Sequence, residues 1–93
     1  MDFGKAIEAL KNGHKVARKG WNGKGMFLIM TPGSDVPVEQ LRSDVTKYHY
    51  QNEGKTAIKI CPHIDMKAAD DSLVIGWLAS HTDMLSDDWL IVE

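Results

Sequence analysis

Apolar side chains recur at helical spacing near the start of the chain, where Phe3, Ala6, Ile7 and Leu10 fall on one stripe while Lys5, Glu8 and Lys11 lie off it on a solvated face. Asp2 supplies a cap for this helix and Asn12-Gly13 a stop. The period then shortens. A short strand spans Lys15 to Arg18 around Val16. It is followed by Met26-Phe27-Leu28-Ile29-Met30, a continuous apolar run that predicts a central strand buried on both faces. Between them Asn22-Gly23, two residues that tolerate positive φ, predicts an exposed hairpin turn.

Pro32-Gly33-Ser34-Asp35 ends the central strand, and Val36 to Asn52 is a more polar excursion. In it Pro37 precedes a weak helical pattern at Val38, Leu41 and Arg42, while alternation from Val45 to Tyr50 predicts an edge strand or hairpin arm. Asn52-Glu53-Gly54 turns the chain back to a strand at Thr56-Ala57-Ile58-Lys59-Ile60, which Pro62 must end, bulge or confine to an edge. Ile64 to Lys67 alternates again, and Asp70-Asp71-Ser72 is a turn before Leu73-Val74-Ile75. Ser80 or Thr82 caps a single helical turn through Met84-Leu85, Ser86-Asp87-Asp88 ends it, and Trp89 to Val92 is the last strand. Connections of about two to six residues favour antiparallel neighbours. The expectation is one α+β domain over residues 1–93. An N-terminal amphipathic helix packs on a mostly antiparallel β-sheet, with a short helical turn before the C-terminal strand.

Size narrows this picture. A 10.4 kDa chain exposes roughly 5,400 Å² when compactly folded against ~15,000 Å² unfolded, so its core is thin. Three Trp, two Phe, two Tyr and five Met then imply either an aromatic core or apolar surface buried in a homo-oligomer. Eleven basic against thirteen acidic residues give a net charge of −2, which argues against binding duplex nucleic acid but leaves room for a local anion site. The single Cys61 excludes a disulfide within the chain. Met1-Asp2-Phe3-Gly4 lacks the features of a secretory signal, and no run is long enough to span a membrane, so a cytoplasmic protein is expected.

Candidate chemistry concentrates in Ala17-Arg18-Lys19-Gly20-Trp21-Asn22-Gly23-Lys24-Gly25-Met26. Glycines bring backbone N–H groups close to an anion, Arg18, Lys19 and Lys24 add charge, and Trp21 offers a ring on which a planar group can stack. A phosphate-bearing nucleotide fits; a tight hairpin with solvated lysines and a tryptophan closing the core edge is the plain alternative. The glycine spacing is too short for a phosphate-binding loop of the nucleotide-hydrolase type, and Gly25 stands where Ser or Thr would hold magnesium. Trp77 after Gly76, ahead of the cap at Ser80 to Asp83, is a second candidate, whereas Trp89 reads as core. His63/Asp65 and His81/Asp83 are spaced for hydrogen bonding or acid–base work, but neither has the further ligands a metal needs, and no cofactor is expected.

Taken in order, several segments resemble one family: the opening helix, Ala17 to Lys24 with Met26 and Leu28, Pro62-His63-Ile64-Asp65-Met66-Lys67, Gly76-Trp77-Leu78-Ala79-Ser80, Thr82-Asp83-Met84-Leu85 and Asp88-Trp89. It is the small phage and prophage domain, formerly of unknown function, that includes the second type of Thoeris anti-defence protein. Val36 to Asn52 is the part that matches least. The resemblance implies a sponge that binds a cyclic ADP-ribose immune signal without cleaving it, with some relatives also binding cyclic oligonucleotides. It further implies a homotetramer with ligand pockets between subunits. Carried over residue by residue, ligand binding falls on Arg18, Gly20, Trp21, Asn22, Gly23 and Met26, and on Trp77, Ser80, Thr82 and Asp83. The rival readings are a nucleotide-cleaving enzyme using His63/Asp65 or His81/Asp83, and a single-stranded nucleic-acid-binding module using the Trp21 hairpin.

Overall fold

The computed structural model describes residues 1–21 and 24–93. Its elements in chain order are α1 (Phe3–Lys11), β1 (Lys15–Arg18), β2 (Phe27–Thr31), β3 (Ser34–Pro37), a 3₁₀ turn (Val38–Gln40), α2 (Asp44–Asn52), β4 (Ala57–Ile60), β5 (His63–Lys67), β6 (Leu73–Val74), α3 (His81–Leu85) and β7 (Trp89–Val92). Contacts divide these into two compact units, one of Met1–Thr31 with His63–Glu93 and one of Pro32–Pro62. The expected α+β class, N-terminal helix, mostly antiparallel sheet and short helix before the last strand are all present. The Asn22-Gly23 turn lies outside the described residues.

In the larger unit five strands run in the order β6-β5-β2-β1-β7, so the apolar run expected to be central is central. Its neighbours are antiparallel, with Val16 opposite Leu28 on one side and Leu28 opposite Met66 on the other. β1 and β7 pair through Val16↔Ile91 and Arg18↔Trp89, which brings the two ends of the unit's chain side by side. α1 begins where the Asp2 carboxylate accepts the N–H of Lys5 at 2.8 Å, and Asn12 closes it. Its buried face of Ala6, Ala9 and Leu10 packs on Val16, Leu28 and Trp89, and Phe3, Ile7, Met30, Ile64 and Met66 complete the cluster. Small alanines let the helix approach the sheet closely enough for Trp89 to fill the space beside it.

The smaller unit departs from expectation in two places. Val45 to Tyr50, read as a strand or hairpin arm, lies in α2. Ser43 decides this: its hydroxyl accepts the N–H of Thr46 at 3.3 Å, and Asp44 in the first turn complements the helix dipole. Six residues of alternation do not distinguish strand from helix when no face is buried, and here Val45 and Tyr48 are 81% and 65% exposed. The segment read only as a strand breaker contributes β3, paired with β4 from Ser34↔Ile60 to Pro37↔Ala57. Val38 follows as the buried residue of the unit, its N–H bonded to Thr56 O at 2.9 Å.

Trp89 is 2% exposed, its ring 5.4 Å from Phe3 and its indole N–H bonded to Asp83 O at 2.9 Å. Trp89→Ala is expected to lower stability by ~3–5 kcal/mol in urea unfolding, because the cavity cannot be refilled by the alanines of α1. A midpoint equal to that of the parent would show that the ring is not packed as described.

Candidate functional site

One end of the larger sheet collects side chains from β1, the loop after it, α3 and the loop before β7. Arg18, at the end of β1, donates through Nε to Asp88 Oδ1 and through Nη1 to Asp83 Oδ1, each at 2.8 Å, and through Nη2 to Asp88 Oδ2 at 3.5 Å. Asp83 Oδ1 also accepts the indole N–H of Trp21 at 3.2 Å, while Oδ2 accepts the Ser80 hydroxyl at 2.9 Å and the Ser80 N–H at 3.3 Å. In return the Ser80 hydroxyl accepts the Asp83 N–H at 3.1 Å, so α3 opens with a capping box. Asp88 Oδ2 binds the Gly20 N–H at 2.8 Å. A Cβ on Gly20 would sit 2.8 Å from that same oxygen, so this position needs glycine for close approach of a carboxylate.

Three tryptophans lie against this polar knot. Trp21 meets Trp89 and Trp77 edge-on, with ring centroids 5.4 and 6.3 Å away, and Trp77 meets Trp89 at 6.2 Å. Such T-shaped contacts place the positive edge of one ring on the negative face of the next and fix ring orientation. Trp21 is half-buried, its nitrogen pinned by Asp83 and its edge by two neighbours. Trp77 is set by backbone: its N–H bonds Ile64 O at 2.7 Å, and Gly76 before it takes φ +83° while donating its N–H to Asp65 Oδ1 at 3.0 Å. Gly76 therefore takes a left-handed conformation that few side chains adopt.

Asp65 is itself fully buried. Besides Gly76 it binds Thr31 Oγ1 at 2.5 Å and His63 Nδ1 at 2.6 Å, so the His63/Asp65 pair foreseen on one face of a strand is formed. The His81/Asp83 spacing has another outcome: both oxygens of Asp83 are engaged by Arg18, Trp21 and Ser80, and His81 is exposed.

Of the residues expected to bind ligand, Arg18, Gly20, Trp21, Trp77, Ser80 and Asp83 converge here. Thr82 is exposed on α3, Met26 is half-buried just ahead of β2, and Asn22 and Gly23 lie outside the described residues. The sequence reading did not single out Asp88 as a site residue. Its partner Arg18 lies 70 positions away, and only the Arg18↔Trp89 register brings the two together. With two carboxylates around one guanidinium, Arg18 engages three of its five N–H donors among the described residues.

These contacts shift the acids. Burial works against the charge on Asp83, but hydrogen bonds from Arg18, Ser80 and Trp21 outweigh it and hold the carboxyl below its usual value. Arg18, aided by the Gly20 N–H, does the same for Asp88 against its desolvation, and the two acids in turn raise Arg18. Burial raises Asp65, and bonds from Thr31, His63 and Gly76 more than reverse it.

Fold and cluster together define a small α+β domain built round one aromatic and carboxylate knot at the end of its sheet. The model of the Thoeris anti-defense 2-like domain matches residues 1–92, and the chain belongs to this family, as its resemblance implied. It is similar to Thoeris anti-defense 2 of Bacillus phage SP01, with 38% identity over 93 residues that cover 100% of this chain and 96% of the relative. Membership supports a phage role against Thoeris defence.

Because the folded carboxyls titrate below their unfolded counterparts, the unfolded chain takes up protons first as pH falls. Stability is then full above the ordinary carboxylate range and declines from about pH 5 downward, through ~4 and below. Urea midpoints measured from neutral to acid pH are expected to follow that decline. Arg18→Met should lower the midpoint clearly at neutral pH and less at acid pH, as the folded carboxyls that Arg18 holds below their usual range take up protons. An equal loss at both would assign Arg18 a packing role only.

Proposed function

We propose that this protein is a phage anti-defence sponge. It binds a cyclic ADP-ribose-type immune signal, and cyclic oligonucleotide signals as well, without cleaving them, and so blocks Thoeris-like immunity in the cytoplasm of the infected host. The observation that carries this reading is the oriented Trp21 ring, which follows Gly20 and is anchored through Asp83 and Arg18 beside Trp77. A preorganised ring loses little freedom when a base stacks on it. Asp83 and Asp88 outweigh the charge of Arg18, so the knot suits hydroxyl and base groups, while the exposed Lys19 and Lys24 nearby in the chain suit phosphates. Ser80 and Thr82 at the start of α3 are small polar groups suited to ribose hydroxyls.

A homotetramer with pockets between subunits belongs to the same proposal. The chain exposes 6633 Å², about a fifth more than the ~5,400 Å² of a compact monomer of its mass. Leu73, Ile75, Leu78 and Leu85 are 51%, 62%, 90% and 83% exposed, apolar surface that a second copy can cover. A nucleotide-cleaving enzyme is the alternative that the His63–Asp65 contact at 2.6 Å favours.

Calorimetry with a cyclic ADP-ribose is expected to give a dissociation constant near tens of nanomolar. About 35 non-hydrogen atoms at ~0.3 kcal/mol each set a ceiling of roughly 10 kcal/mol. Heat-denaturing the complex and chromatographing the supernatant should return intact signal; cleaved product would favour the enzyme. Trp21→Ala should weaken binding by roughly 5- to 150-fold, the ~1–3 kcal/mol of one base–aromatic stack. Full affinity in a folded Trp21→Ala protein would remove this site from the proposal. Light scattering should report a particle several-fold larger than 10.4 kDa, and a monomer with and without ligand would exclude shared pockets.

A further inference from the structure

After β1 the chain from Arg18 to Trp21 folds back in a tight turn, closed by the Trp21 N–H on Arg18 O at 3.2 Å. Asp88 takes the other donors of this turn in sequence order. Arg18 Nε donates to its Oδ1 at 2.8 Å, the Lys19 N–H to its backbone O at 3.0 Å and the Gly20 N–H to its Oδ2 at 2.8 Å. The backbone N–H groups of Lys19, Gly20 and Trp21 are thereby all engaged within the chain, and none is left to meet the anion of a ligand. Gly20 is not among the glycines with positive φ, so its backbone alone would admit a side chain. Asp88 is what excludes one, since Oδ2 would lie 2.8 Å from a Cβ. Trp89, the next residue, pairs with Arg18 across the sheet and meets the Trp21 ring at 5.4 Å. Asp88 thus clasps the turn from which Trp21 extends and immediately precedes the ring against which Trp21 packs.

We propose that Asp88 is the positioning residue of the Trp21 ring: it sets where the ring stands, and so the affinity for the signal, without touching the signal. The effect on affinity rests on the stacking of the signal on Trp21; the effect on the ring does not. The bond from the indole N–H to Asp83 fixes one end of the ring, but a side chain is only as well placed as the backbone that carries it. Without the Asp88 carboxylate, Arg18 Nε and the Gly20 N–H lose their acceptor and turn to water, and the turn loosens. With it, charge-assisted bonds order the turn in the free protein. Order already present is not lost again on binding, so the clasp raises affinity. A guanidinium and a backbone N–H are also a donor set that phosphate can take. Were Asp88 only a placeholder for phosphate, its removal would strengthen binding, the opposite of what positioning requires.

The test is a set of double-mutant cycles over Asp88, Gly20 and Trp21 in variants shown to be folded by circular dichroism. Two readouts are taken: calorimetry with a cyclic ADP-ribose, and NMR hydrogen exchange of the Trp21 indole N–H in the free protein. Arg18 keeps Asp83 as a partner in Asp88→Ala, so its charge stays paired. Asp88→Ala should weaken binding by roughly 2- to 10-fold, the cost of ordering one side chain on binding, and should speed indole exchange. Gly20→Ala should reproduce both effects in the parent, through its clash with the carboxylate, and add nothing in Asp88→Ala, where the carboxylate is gone. In Trp21→Ala, Asp88→Ala should cost no further affinity. A lower unfolding midpoint in Asp88→Ala with parental affinity and parental indole exchange would leave it a role in stability only and overturn the proposal. Further loss on adding Gly20→Ala to Asp88→Ala would overturn it by making Gly20 a ligand contact, and tighter binding in Asp88→Ala by making Asp88 a placeholder. If the parent does not bind the cyclic ADP-ribose, the sponge reading fails and indole exchange alone decides. Faster exchange in Asp88→Ala and Gly20→Ala then upholds the positioning of the ring, and parental exchange overturns it.

Discussion

A guanidinium held between two carboxylates is the constraint on which the aromatic end of this domain depends. Arg18 joins the end of β1 to the first turn of α3 and to the residue before β7, whose carboxylates lie 65 and 70 positions farther along the chain. Removing charges from water is costly, and the attraction of the pair offsets that cost best where further hydrogen bonds engage the carboxylate oxygens. Asp83 meets that condition with Trp21 and Ser80, and Asp88 meets it with Gly20. Each compensation places another group: the Trp21 ring takes its orientation, Gly20 its lack of a side chain, and α3 its starting residue.

Asp65 repeats the arrangement farther along the sheet. It gathers Thr31 from the end of β2, His63 from the start of β5 and Gly76 from the loop after β6. Through Gly76 it sets the turn that delivers Trp77 to the other two tryptophans. Whatever else the histidine–aspartate pair does, Asp65 has a structural task in the fold, as a hydrogen-bonded buried charge.

The two faces of the five-stranded sheet divide the chemistry. On one, α1 and Trp89 make an apolar core that ends in the tryptophan knot, where membership of the Thoeris anti-defense 2-like family directs the search for a signal pocket. On the other, Phe27 stands between two lysines. A thin domain can afford both because its hydrogen-bonded carboxylates, and not a large apolar core, fix the positions of its loops.

Much of this was legible from residue order. α1 with its Asp2 cap, the central position of Phe27 to Thr31, the turn at Asp70 to Ser72 and the cap at Ser80 all follow from local rules of period, capping and turn chemistry. Which residues gather in the candidate site was partly legible too, since glycines, a tryptophan and cations crowd one loop. Their roles were not. Arg18 read alone is an anion receptor; beside Asp83 and Asp88 it is a clasp, and nothing in its neighbours in the chain announces partners 65 and 70 residues away. Val45 to Tyr50 misled for a related reason, because a short polar alternation has no buried face to select its period and the Ser43 cap decides for helix. Local sequence determines what a segment can form, through backbone sterics and nearby hydrogen bonds. Which charges meet and which ring faces which depends on strand register, and register is settled only when the whole sheet closes on its core.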